Sequence, residues 1–159
     1  MRVRRRAGVA AIAVAAGIGL PACSSGPSMD ELGPQFEEDA DVLFTELRDS
    51  YAQDPDAAEV TADGSENISC DGGMKREFDA TFPMREGDTA DNLDYFTRSV
   101  VMAYEGDLAY TMTEGDDFSG TERTYRATND DETITFEINA TGEPGSDVVF
   151  SGETVCAST

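Results

Sequence analysis

The sequence predicts an α+β domain in which a mainly antiparallel sheet of about four to five strands carries two helices packed on one face. Two segments repeat apolar residues at helical spacing, and several shorter segments alternate apolar and polar residues with a period of two. The last strands follow one another at hairpin spacing. An order of helix, strand, helix and then several strands is typical of this fold class.

The first 22 residues have the pattern of a secretion signal. Four arginines lie within the first six residues, and an uncharged apolar stretch covers residues 7–20. A basic start and a short apolar stretch are typical of a signal peptide, and the stretch is too short to span a bilayer comfortably. Leu20-Pro21-Ala22-Cys23 then resembles the lipobox of bacterial lipoproteins, although Pro21 replaces the usual Ala, Ser or Thr.

The lipobox implies that residues 1–22 are removed and that Cys23 carries a diacylglyceryl thioether. The alternative is an ordinary signal peptide with a chance cysteine. We expect residues 23–33 to form a lipidated tether and residues 34–159 to form one domain. Two or more acyl chains are enough for stable membrane residence, so the sequence predicts an anchor on the outer face of the cell membrane.

The first helix is marked by a start signal, one apolar face and a stop signal. Ser28 followed by Glu31 is a capping-box pattern, and the helix should end near Gln53, before Asp54-Pro55-Asp56. The acidic segment 54–67 is predicted to be a loop. The apolar face of the helix consists of Phe36, Ala40, Leu43, Leu47 and Tyr51.

The remaining elements follow from the same patterns. A second helix is predicted from Thr89 to Glu105, with Gly106 placed to end it. Turn residues separate the strands on either side of it. Five strands are predicted over 78–84, 108–114, 123–128, 134–140 and 148–156, and Ile68–Cys70 could begin a further short one.

The chain has three cysteines, and the lipobox assigns Cys23 to lipid attachment. The remaining two, Cys70 and Cys156, most simply form a disulfide in an exported domain. A redox or metal-binding pair is the alternative. It is disfavoured because the sequence has no CxxC spacing and no histidine.

The composition describes a strongly acidic protein. The formal net charge of the full chain is −22, and removing residues 1–22 removes four arginines and no acids, which gives about −26. Such acidity argues against nucleic acid and against adsorption on anionic headgroups. Cations, basic proteins and polycationic surfaces remain as partners, although the charge could also be merely solubilising.

No catalytic residue, metal site or cofactor is assigned. The chain has no histidine, and it contains no nucleophile motif, phosphate-binding loop or dinucleotide-binding loop. Asp63, Ser65 and Asn67 match the first three oxygen-ligand positions of an EF-hand loop, but Ile68 and Met74 stand where Gly and Glu are required. The match therefore fails.

Two weaker kinds of binding site stay open. The acidic turns at 114–117 and 129–132 could hold calcium loosely, although solvated turn acids are the simpler interpretation. Four tyrosines could line a ligand groove, but each lies on or beside an apolar stripe, so core packing is the simpler interpretation. These tyrosines are Tyr95, Tyr104, Tyr110 and Tyr125.

The layout resembles small lipoproteins of actinobacteria, a family without an assigned function. The resemblance is carried by Ile68-Ser69-Cys70, the helix over 93–104, the strand over 133–140 and the ending Thr154-Val155-Cys156-Ala157. It covers nearly the whole exported chain, and apart from the lipobox it contains no diagnostic motif. It implies the fold and the location only.

The sequence therefore predicts an envelope-anchored, non-enzymatic binding or interaction domain outside the cytoplasm. Its expected partners are the membrane, through the lipid on Cys23, and a protein or cell-wall component. Two alternatives remain, which are a calcium-responsive acidic module and a carboxylate-dependent hydrolase of cell-wall glycans. The sequence does not determine the oligomeric state.

Overall fold

The fold is known from a computed structural model, which describes most of residues 26–159. The predicted leader, Cys23 and much of the predicted second helix lie outside the described residues. None of the helices in the described part is long and apolar enough to cross a membrane. The described residues are 26–85, 87, 92–95, 98–99, 102, 110–114, 122–141 and 145–159.

The first helix, α1, spans Met29–Tyr51. Its start is fixed as predicted, because the Glu31 carboxylate accepts hydrogen bonds from the Ser28 backbone N–H at 3.4 Å and from the Ser28 hydroxyl at 3.2 Å. The helix begins five residues before the predicted domain boundary at residue 34, inside the predicted tether. The reason is burial, since Met29 and Leu32 belong to the hydrophobic core.

The main sheet has six antiparallel strands, which are β1 (Glu59–Asp63), β4 (Glu77–Pro83), β5 (Tyr110–Glu114), β6 (Glu122–Asn129), β7 (Ile134–Thr141) and β8 (Asp147–Thr154). Their order across the sheet is β1-β4-β8-β7-β6-β5. The prediction of four to five strands is wrong because β1 lies in the segment 54–67, which was predicted to be a loop. Only Ala62 of β1 is partly buried, so this edge strand has no apolar alternation and is held by backbone pairing to β4.

A separate hairpin stands beside the main sheet. It consists of β2 (Ile68–Cys70) and β3 (Gly73–Lys75), joined by the turn at Asp71 and Gly72. A short 3-10 helix at Pro55–Ala57 precedes β1, and the Asp54 side chain caps it by accepting from the Asp56 N–H.

The core forms where α1 meets the alternating residues of three strands. Phe36 of α1 stacks on Phe136 of β7 with ring centroids 5.5 Å apart, and Phe136 stacks on Phe150 of β8 at the same distance. Phe44 of α1 contacts Phe78 of β4 at 5.6 Å. Alternation in β4 and β7 therefore predicted their buried side correctly.

Part of the predicted second helix is described, and it is helical. Residues 92–95, 98–99 and 102 have helical backbone, Leu93 is buried, and the Tyr51 hydroxyl donates to the Asn92 carbonyl at 2.7 Å. The other residues predicted for this helix lie outside the described part of the chain.

The start of α1 and the C-terminal segment meet at one end of the domain. The predicted disulfide is confirmed, with the Cα atoms of Cys70 and Cys156 6.0 Å apart. The Met29 N–H donates to the Ser158 carbonyl at 2.7 Å. The start of α1 therefore lies beside the C-terminal segment, and the disulfide ties the β2–β3 hairpin to that segment.

Candidate functional site

The candidate site is a groove between α1 and the edge strand β1, which we call the helix–strand groove. Its volume is about 640 Å³, within the range of about 300–1,000 Å³ that is usual for ligand sites. Side chains of α1 form one wall, β1 forms the other, and β4 contributes to the floor. The lining residues are Pro34, Glu37, Glu38, Asp41, Phe44, Arg48, Val60, Asp63 and Phe78.

The centre of the groove is apolar. Phe44 and Phe78 are core residues that contact each other. Val60 stands opposite Ala80, which places its side chain on the helix side of the sheet, yet Val60 is 47% exposed. A strand-forming residue is thus left open to solvent beside two core aromatic rings.

The rim of the groove is acidic. Glu38 and Asp41 extend from α1, and within the described part of the chain neither carboxylate forms an ion pair. Glu37 pairs with Arg76 at 3.0 Å. Asp63 accepts hydrogen bonds from the Ser65 hydroxyl at 2.6 Å and from the Ser65 N–H at 3.0 Å, and these bonds lower the pKa of the Asp63 carboxyl.

One basic side chain, Arg48, is among the residues that line the groove, and it is already engaged. Its guanidinium pairs with Asp49 at 2.8 Å and lies 5.7 Å from the ring centroid of Phe44. The acidic rim is therefore only partly neutralised, and the groove favours a cationic ligand over an anionic one.

Arg76 fixes the end of the groove. Its guanidinium donates to the carbonyls of Gly33 and Gly64, both at 3.1 Å, and its Nε donates to Asn67 at 3.0 Å. A Cβ on Gly33 would lie 2.6 Å from the Arg76 Nε, so a larger residue at this position would displace the guanidinium. Together with its Glu37 ion pair, Arg76 joins α1 to the loop that follows β1, which holds the two walls of the groove in place.

The outer edge of β1 is open in the described structure. β4 is its one strand neighbour there, and the residues on either side of it, 52–85, are all described. An edge strand presents a row of unpaired N–H and C=O groups that another extended chain can pair with.

The opposite face of the sheet carries a second polar surface. Glu77 and Glu153 stand directly opposite each other, and the Lys75 ammonium bridges them at 2.6 and 3.1 Å. Burial, together with the charges of Glu77 and Glu153, raises the pKa of the Asp79 carboxyl. The Glu137 carboxyl accepts from Asn139 and Arg126, and these bonds lower its pKa.

The described residues contain no group of three or more acidic, cysteine or histidine side chains that could hold a metal ion. In the acidic turn at 129–132, the Asn129 side-chain oxygen accepts from the N–H groups of Thr133 and Ile134 at 2.7 and 2.9 Å. Asn129 thus stabilises the turn itself. Most of the other predicted turn, 114–117, lies outside the described residues.

The predicted tyrosines separate into core and surface residues. Tyr110 is buried, and its hydroxyl donates to the buried Asp39 of α1 at 2.9 Å. Burial raises the pKa of both groups. Tyr125 is buried and donates to Asp94, whereas Tyr95 is 78% exposed. Neither buried tyrosine lines the helix–strand groove, and Tyr104 lies outside the described residues.

Comparison of the chain with protein-family models, with curated proteins and with solved structures found no match. The candidate site therefore rests on geometry and charge. Sequence reasoning missed the groove, and the one local signal for it was the strand-forming pair Val60-Thr61 inside an otherwise acidic, turn-rich segment.

Proposed function

We propose that this protein is a lipid-anchored, non-enzymatic binding module of the cell envelope whose helix–strand groove takes a basic protein segment. The observation that carries the proposal is the combination of an apolar centre with a rim whose Glu38 and Asp41 carboxylates have no ion pair in the described structure. Apolar contact would supply affinity, and the acidic rim would select cationic partners.

The proposed location follows from the N-terminal pattern and from the position of α1. A diacylglyceryl group on Cys23 would hold the protein at the outer face of the membrane. Five residues separate Cys23 from Met29, and this tether spans at most about 20 Å. The groove begins at Pro34, about 8 Å further along the axis of α1. The partner is therefore expected close to the membrane surface.

The finer arrangement of the helices belongs to the same proposal. We infer that the second helix lies beside α1 on the same face of the sheet. Three observations support this. Leu93 is buried, the Tyr51 hydroxyl donates to the Asn92 carbonyl, and Asp94 forms an ion pair with Arg123 of β6 at 3.0 Å. The second helix would then stand on the β6 side of the face and leave the groove at β1 uncovered.

The absence of histidine from the whole sequence favours binding over catalysis. We carry forward neither the calcium-responsive module nor the glycan hydrolase, because no observed arrangement of the described residues favours either one. The resemblance to small actinobacterial lipoproteins is compatible with a binding module and identifies no partner.

The anchor is tested by fatty-acid labelling in cells. The wild-type protein and a Cys70→Ser variant should incorporate an alkyne-tagged fatty acid, whereas Cys23→Ser should not. The mass of the wild-type N-terminal peptide should correspond to a mature chain that begins at Cys23 and carries a diacylglyceryl group. Label on Cys23→Ser, or a mature N-terminus elsewhere, would disprove the anchor.

The groove is tested with a defined basic peptide, acetyl-TKTVTKT-amide, titrated into the processed protein in neutral detergent. Replacing Glu38 by Gln together with Asp41 by Asn should weaken binding about threefold to tenfold, since each exposed ion pair contributes about 0.2–1 kcal/mol. Isothermal calorimetry at about 0.1 M salt measures the affinity.

The matched control removes the same two charges outside the groove, by replacing Asp130 and Asp131 in the β6–β7 turn with Asn. The control should bind within about twofold of the wild type, and acetyl-TETVTET-amide should not bind. Equal losses in the two variants would mean that only the net charge matters, and the groove would then not be the site.

A further inference from the structure

We infer that the basic segment binds as an added strand on the free edge of β1, extending the main sheet from six strands to seven. This inference rests on the proposed function and specifies how the partner binds. It depends on three features of the described structure, which are the open edge of β1, the exposed Val60 side chain and the acids on either side of it.

β1 offers two kinds of interaction at once. Its outer edge presents unpaired backbone groups, and the groove on its helix side presents Val60 beside Phe44 and Phe78. A helical ligand satisfies its own backbone groups internally, so it would leave the β1 edge unpaired. An extended ligand pairs with that edge and also places alternate side chains against α1, as in other strand-addition complexes.

The charges around β1 explain why this edge would accept a basic segment and reject a second copy of the protein. Natural edge strands are often protected by lysine, by proline or by a β-bulge, and β1 contains no lysine or proline. Its bulge lies between Val60 and Ala62, and the acids Glu59 and Asp63 stand at its ends. Another copy would bring its own acidic β1 and a net charge near −26, so the two edges would repel each other.

The spacing of side chains also suits an extended chain. In an added strand every second residue faces the helix side, about 7 Å from the next such residue. A central apolar residue on that side would contact Val60, and its neighbours two positions away would lie near the acidic rim. Lysine at those neighbouring positions would meet Glu38 or Asp41. The probe acetyl-TKTVTKT-amide has this pattern.

The test uses backbone methylation, which removes N–H donors without changing side chains. In a strand, the N–H groups of alternate residues point to opposite edges. One peptide is therefore N-methylated at its second, fourth and sixth residues, and another at its third and fifth residues. Both are titrated into the processed, detergent-purified protein beside the unmethylated peptide.

Strand addition predicts that one methylated peptide loses at least about tenfold in affinity while the other stays within about twofold of the parent. Equal affinities, or equal losses, for the two methylated peptides would overturn the inference. If these peptides still depend on Glu38 and Asp41, the proposed function stands and only the binding mode is wrong. If the parent peptide does not bind at all, both proposals fail.

A substitution in the protein tests the proposed contact at Val60 independently of the methylated peptides. Val60→Thr keeps a β-branched residue in β1 and removes apolar contact, so it should weaken the parent peptide about threefold to tenfold. Val149→Thr is the matched control, because Val149 is 39% exposed on β8, paired with Thr81 of β4 and distant from the groove. Equal effects of the two variants would contradict a contact at Val60.

Discussion

Replacing Cys70 and Cys156 by serine should lower the free energy of unfolding by about 2–5 kcal/mol. The disulfide joins residues that are 86 positions apart. A cross-link of that span restricts the unfolded chain strongly, because the entropy of closing a loop grows with its length. The side chains themselves contribute little, since Cys70 is only partly buried and Cys156 is exposed.

Urea unfolding followed by circular dichroism measures this loss. The wild-type protein in reducing buffer should unfold at the same urea concentration as the double serine variant, which would show that the bond and not the substitution is responsible. An unfolding free energy within about 1 kcal/mol of the oxidised wild type would contradict the prediction.

Without the disulfide, the loss of local stability should be largest at the β2–β3 hairpin. Apart from the disulfide, the hairpin is held to the C-terminal segment by two hydrogen bonds between the backbones of Met74 and Ala157, at 2.9 and 2.8 Å. A Cβ on Gly73 would overlap the Ala157 carbonyl, so glycine permits this approach. Amide hydrogen exchange at Met74 and Ala157 should therefore accelerate more than exchange in β7.

The elements that the sequence predicts well are those whose stability comes from burying one face. The apolar spacing of α1 and the alternation in β4, β7 and β8 both reflect contact with the same core, so a local pattern is sufficient to find them. The disulfide was predictable by counting, because assigning Cys23 to lipid leaves a pair.

The elements that the sequence predicts poorly depend on contacts with distant parts of the chain. β1 is stabilised by pairing with β4, and its own residues are mostly exposed, so no period appears in the segment 54–67. The helix–strand groove requires that β1 stand at the edge of the sheet and beside α1. That placement follows from a strand order in which the C-terminal β8 lies between β4 and β7. No local spacing of residues in the sequence indicates this order.

Phe136→Ala should lower the free energy of unfolding by about 3–5 kcal/mol. The Phe136 side chain is 1% exposed and lies between the stacked rings of Phe36 and Phe150, with Tyr110 tilted against it at 5.6 Å. Its removal would leave a cavity where α1 meets the sheet, and the flat ring contacts on both sides would be lost together. Urea unfolding measures the loss, and Val149→Thr on the opposite face should stay within about 1 kcal/mol of the wild type.

Substitution of Gly152 tests whether packing around the Phe136 ring is the cause of this loss of stability. Gly152 of β8 stands opposite Phe136, and a Cβ there would overlap the Phe136 ring and lie 3.2 Å from Phe36 Cε2. Gly152→Ala should therefore destabilise the wild type by about 1–3 kcal/mol through overpacking. In a Phe136→Leu background, which keeps a folded core, the same change should be nearly neutral because the added methyl group enters vacated space. An equal penalty in both backgrounds would mean that the Gly152 backbone, rather than its closeness to the Phe136 ring, requires glycine.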